Sequence, residues 1–129
     1  MLSKAGLVKI LCKYPELIEH GFTVKGCDTS LYDQGVDILL GDQFNKKLAV
    51  QVRTDPIKEE HLGEILSHQE AILSGEDPNL NVMLVAIKIP PHLQKTFDHN
   101  GVAWKEITLF QMEEHLTSKG DVEMLELLG

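Results

Sequence analysis

A chain of 129 residues with 20 acids against 12 lysines and arginines, formal net charge -8, is one domain long and can bury an apolar core without metals or disulfides. That acidity argues against a general polyanion binder, because sequence-independent affinity for nucleic acid comes from cations that neutralise phosphates. The longest apolar run, Val82 to Ile87, is far short of the roughly 20 residues that cross a bilayer. Cys12 and Cys27 lie outside any CxxC spacing, and no basic stretch followed by an apolar leader precedes a cleavage site. A soluble, cytoplasmic protein without a disulfide framework is expected, with Cys12 as a small core hydrophobe and Cys27 in an exposed loop.

Ser3 is placed to cap a first helix in which Leu7, Ile10, Leu11 and Tyr14 repeat at helical spacing, and Pro15 interrupts it before a stop at Gly21. Phe22 to Lys25 alternates like a strand, and the turn formers from Gly26 to Gly35 predict a loop. Two strands, Val36 to Leu40 and Leu48 to Arg53, then form a hairpin about Gly41 to Lys46. Asp55-Pro56 predicts a helix start, since Asp accepts from free first-turn amides and Pro at the first position loses no hydrogen bond. That helix is expected to reach Ser74, with Leu62, Ile65, Leu66, Ile72 and Leu73 as its apolar stripe and His61, Glu64 and His68 on its flank. Val82 to Ile89 shows no alternation, which predicts a strand covered on both faces at the centre of the sheet. A short helix from Pro90-Pro91 to Asn100-Gly101 and a strand from Val102 to Ile107 follow, with Trp104 in the core. Thr108 and Gln111 fit a capping box for a helix through Leu116, and Val122 to Leu128 forms the last one. The order describes an α/β domain with a central mixed sheet flanked by helices. Residues 1–20 form the N-terminal helices, 22–107 the sheet core with its crossing helices, and 108–129 the C-terminal helices.

Asp37 follows a valine and precedes three apolar residues, so burying it is costly unless it is exposed at a strand end, hydrogen-bonded or bound to a metal. On the next strand Gln51 and Arg53, the only arginine, are two apart and share a face. A carboxylate, a carboxamide oxygen and the Val52 backbone carbonyl are the donors a hard divalent ion takes, and a neighbouring cation can meet the attacked phosphate. The plainer readings are a solvated strand-end Asp37, a salt bridge from Arg53 to Asp37 or Asp55, surface histidines at 61 and 68, and Lys46, Lys47 and Lys58 as solvated edge residues rather than DNA contacts.

Asp37 followed fourteen positions later by Gln51-Val52-Arg53 resembles the D…(E/Q)xK signature of the PD-(D/E)xK nuclease superfamily. The likeness is greatest to the RecB-like nuclease domain of NucS-type endonucleases. It is carried by Pro15-Glu16-Leu17-Ile18-Glu19-His20-Gly21, Gly35-Val36-Asp37, Val50-Gln51-Val52-Arg53 and Gly63 to His68, and it extends through Val82 to Ala86 and Asn100-Gly101-Val102. The resemblance implies a restriction-endonuclease-like αβββαβ core. It implies Mg2+ or Mn2+ held by Asp37, Gln51, the Val52 carbonyl and Glu64, with Arg53 at the scissile phosphate and His68 assisting. DNA, single-stranded or branched, is the implied partner, and a homodimer or a larger protein partner is compatible.

Departures from the family pattern carry information. The family's first-helix acid has no counterpart before Glu16, leaving Glu16 or Glu19 as substitutes. Glutamine in the second acidic position is also found in Mrr-type restriction endonucleases, whereas Arg53 replaces a lysine. Arginine grips phosphate bidentately but stays charged and cannot serve as a base. Glu64 stands where the family has glutamine, which would set two acids, Asp37 and Glu64, about one space. Two functions follow as expectations: a metal-dependent endonuclease with an altered site, or a catalytically inactive nuclease-fold binding or assembly module in which Asp37 pairs with Arg53.

Overall fold

The computed structural model describes residues 1–129. Helix α1 (Lys4–Lys13) is capped as expected, with Ser3 Oγ accepting from the Gly6 amide at 3.0 Å. Strands β1 (Thr23–Leu31), β2 (Gln34–Gly41) and β3 (Lys47–Arg53) follow, then α2 (Leu62–Leu73), β4 (Leu80–Ala86), α3 (Pro91–His99), β5 (Ala103–Glu106), α4 (Leu109–Ser118) and α5 (Val122–Leu127). The sheet order is β1-β2-β3-β4-β5, antiparallel from β1 to β3 and parallel from β3 to β5. Crossovers through α2 and α3 make the parallel half possible, because parallel neighbours cannot be joined by a tight turn. The α4 capping box forms reciprocally, with the Gln111 amide donating to Thr108 Oγ1 at 3.1 Å and the Thr108 amide donating to Gln111 Oε1 at 2.8 Å.

Alternate β3 residues point to opposite faces. Val50 and Val52 join Leu7, Ile10, Leu11, Ile38, Leu40, Met112 and Leu116 in the largest cluster, beneath α1 and α4. Ala49 packs with Ile72 of α2 on the other face, and a third cluster around Phe97 lies beneath α3. The central strand is therefore β3; β4, although buried on both faces, lies second from the β5 edge.

Three local expectations are overturned. Residues 26–31 are strand rather than loop: β1 pairs with β2 down to Leu31↔Gln34, closed by a two-residue turn in which Tyr32 (φ 51°) and Asp33 (φ 64°) are left-handed. Such a turn matches the twist of a hairpin, and glycine or asparagine usually marks it. The α2 helix begins at Leu62, after a single 3-10 turn at Glu59–His61, and not at Asp55-Pro56. Ile57, only 2% exposed, is drawn into the Phe97 cluster and its amide donates to Lys88 O at 3.2 Å, so burial holds this segment extended against its local helix signal. Finally, Cys12 and Cys27 are bonded to each other, tying α1 to β1, where free thiols were expected.

The C-terminal helix is anchored by charge. Tyr14 Oη donates to Asp121 Oδ2 at 2.6 Å, Lys13 Nζ lies 2.6 Å from the same oxygen, and Asp121 Oδ1 caps α5 by accepting from the Met124 amide at 3.1 Å. Hydrogen bonding from Lys13, then from Tyr14, holds the Asp121 carboxyl down at about 2 against an ordinary 3.8. A carboxyl lowered in the folded state stabilises above its unfolded value and loses that contribution as pH falls through the folded one. Asp121→Asn should thus lower the urea midpoint at neutral pH, and its deficit relative to wild type should shrink as pH falls from about 4 towards 2. An unchanged deficit over that range would show that the Asp121 charge is not its source, since asparagine keeps the capping oxygen.

Candidate functional site

The β2–β3 ladder runs from Gly41↔Lys47 to Ile38↔Val50 and stops, so the strands part where Asp37 faces the end of β3. The Asp37 side chain spans the gap: its Oδ2 accepts from the Val52 amide at 2.8 Å. Its Oδ1 lies 3.1 Å from Nζ of Lys4, the first residue of α1. A lysine at the positive end of a helix is electrostatically misplaced, and α1 has no acid in its first turn. Asp37 supplies that negative charge from another element. Sequence reasoning missed Lys4, although its unfavourable place on α1 favours an acid supplied by another element.

Gln51 and Arg53 share the β3 face turned to α2. Arg53 Nη2 lies 3.3 Å from Glu64 Oε1, a pair in which Glu64 is 71% exposed, so about 1 kcal/mol bounds its worth. Asp37 and Arg53 are therefore each paired, but with Lys4 and Glu64 rather than with one another. His68 Nε2 lies 2.7 Å from the Gly35 carbonyl oxygen, joining α2 to the start of β2.

These residues border two adjoining clefts. One, of about 460 Å3, is lined by Lys4, Asp28, Asp37, Gln51 and His68 among others. The second, of about 320 Å3, is lined by Lys4, Gln51, Arg53, Asp55 and Glu64 among others. Lys4 and Gln51 form the shared wall, and Glu64 stands on the far side of it from Asp37. Asp28, also missed from sequence, is exposed on β1 with a left-handed φ of 49°, between residues that pair with Ile38 and Val36 on either side of Asp37.

The other candidates lie outside both clefts. Glu16 is held by His115 Nε2 at 2.8 Å; burial pushes its carboxyl up, but its backbone hydrogen bond and His115 outweigh this and leave it lowered. Glu19 is exposed. Lys47 pairs with Asp77 at the opposite end of β3 from Arg53, about 20 Å away at strand rise. Lys46 and Lys58 are exposed, and the Lys58 amide donates to His61 Nδ1.

As arranged, this donor set does not suit a divalent ion. Both Asp37 oxygens are engaged, the Val52 group that reaches Asp37 is its amide, Glu64 is tied to Arg53, and no group of three or more His, Cys, Asp or Glu is placed to hold a metal. Hard ions need several free oxygens at once.

The architecture, a mixed sheet flanked by helices in αβββαβ order, is that of a restriction-endonuclease-like domain. It is similar to the crystal structure of a repair endonuclease from Pyrococcus abyssi, with a TM-score of 0.69 and 15% identity over 84% of this chain and 48% of that one. It is similar also to EndoMS in complex with double-stranded DNA (TM-score 0.68, 16% identity, 82% of this chain and 44% of that one). Apo EndoMS gives a TM-score of 0.66 at 16% identity, over 84% of this chain and 47% of that one. The chain thus spans about half the length of these structures, and at such identity the likeness is one of fold. No protein-family model and no curated protein matches the sequence.

Proposed function

We propose that this domain is a nuclease-fold binding or assembly module that does not hydrolyse phosphodiesters, its ion site replaced by an internal cation. The observation that carries this reading is the Asp37 carboxylate, satisfied by Lys4 Nζ at 3.1 Å and the Val52 amide at 2.8 Å. DNA is the ligand class suggested by fold similarity to a double-stranded DNA complex. With a net charge of -8, affinity for it should be weak.

A second reading, a Mg2+- or Mn2+-dependent endonuclease, draws on Gln51, which lines the same cleft as Asp37 and whose Oε1 is a buried acceptor with no partner. Lys4 is 55% exposed, so moving it aside costs little, about 1 kcal/mol or less. Thermal unfolding with and without Mn2+, alongside cleavage of single-stranded, branched and duplex DNA, separates the two. The module reading expects no Mn2+-dependent stabilisation and no cleavage. Stabilisation or cleavage that disappears in Asp37→Ala would overturn it.

A further inference from the structure

Gln69 is the only residue with a polar side chain among the 31 that are buried, at 6% exposure, and its Nε2 has no hydrogen-bond partner. Two other buried side-chain atoms without partners, Gln51 Oε1 and His68 Nδ1, belong to residues beside it. All three residues line one small cavity of about 10 Å3, between β3 and α2, whose remaining walls include Val36, Ile72 and Val82. Buried polar groups in folded proteins almost always have a hydrogen-bond partner, so three stranded around one space call for one. The space suits a single water and nothing larger.

We infer that this cavity is a binding site for one ordered water, through which Gln69 acts as the positioning residue for Gln51 and His68. The bonding pattern closes. Because His68 Nε2 faces the Gly35 carbonyl, which can only accept, the neutral ring carries its proton there and presents Nδ1 as an acceptor. Gln51 Oε1 is a second acceptor and Gln69 Nε2 a donor. Water donates one proton to each acceptor and takes the Gln69 N–H on a lone pair, giving the three hydrogen bonds usual for a buried water. The water thus turns the Gln51 carboxamide oxygen inward and leaves its NH2 end for the cleft that Gln51 also lines. The cleft then offers a ligand a donor, not an ion-binding oxygen. This site does not depend on whether the domain cleaves DNA.

Nuclear Overhauser spectra of the wild-type protein, with long-range 1H–15N spectra of the neutral histidines, test it. The expected result is a cross-peak of slow-exchange sign between the Gln69 side-chain NH2 and a long-lived water, with His68 protonated at Nε2. In Gln69→Met, of similar size but without a donor, the cross-peak should be lost and the second His68 tautomer should gain population, while Gln69→Asn should restore part of both. Absence of a long-lived water in the wild type, or a His68 ring protonated at Nδ1, would overturn the inference. A cross-peak from the Gln51 NH2 to that water would overturn the inward orientation of its oxygen. The wild-type measurements stand whether or not the variants fold.

Discussion

Combining Lys4→Ala, Gln51→Glu and Arg53→Lys should give a site that binds Mn2+ more tightly than the wild-type protein does. The first change frees Asp37 Oδ1, now 3.1 Å from the ammonium. The second places a carboxylate where a carboxamide stands, two residues from Arg53 on the same face. The third supplies a cation that can lose its proton, which arginine cannot. An ion that binds only the folded protein adds about 2.7 kcal/mol at about 100 times its dissociation constant, a shift of several degrees in Tm. Titration calorimetry and thermal unfolding should both register it. Arg53→Lys with Gln51→Glu should do less than the triple variant, because Lys4 still holds Asp37. Equal Mn2+ affinity in those two variants would show that Lys4 is not what closes the site. Mn2+-dependent cleavage is expected to rise in the same order. A triple variant that binds the ion without cutting would leave the metal argument intact and place the remaining defect with the substrate.

The parts of this site legible in the sequence were those set by local alternation. Gln51 and Arg53 share a face because strand side chains alternate, and Asp37 drew notice because a carboxylate among valine, isoleucine and leucines needs a partner. Which partner it takes depends on where α1 delivers Lys4 after the chain has packed, and no spacing rule encodes that. The fold divides the same way. The caps at Ser3 and Thr108 and the stop at Gly101, with φ 71°, follow from side chains within a few residues. The β1–β2 turn was hidden because Tyr32 and Asp33 occupy left-handed backbone without the glycine that advertises it. The Asp55-Pro56 signal is genuine, but burying Ile57 is worth more than one early helical turn. The Cys12–Cys27 bond joins residues 15 apart on two elements, a proximity that only the assembled fold creates.

Phe97→Ala should be the most damaging single change to stability, at about 3–5 kcal/mol, a large share of the 5–15 typical of a domain. Phe97 is 0% exposed and is the largest of the fully buried side chains. It packs with Ile57, Ile65, Leu84, Leu93 and Val102, which come from the segment after β3, from α2, β4 and α3, and from the position just before β5. A cavity there cannot be closed by one side chain shifting, because its walls belong to separate elements. The consequence for the site is indirect. Ile57 is what holds the stretch between Arg53 and the Glu59–His61 turn extended, so a void beneath it should loosen the Arg53–Glu64 wall before it reaches Asp37. Hydrogen exchange should show this as earlier opening at the Ile57 amide, bonded to Lys88 O, than at the Val52 amide, bonded to Asp37. Leu73→Ala is the control, since Leu73 is 46% exposed and should cost well under 1 kcal/mol. Urea unfolding that shows the two variants alike would mean that the α3 side of the sheet is not part of the cooperative core. The second cleft wall would then have to be held by the surface pair alone, which at about 1 kcal/mol is too weak to keep it in place.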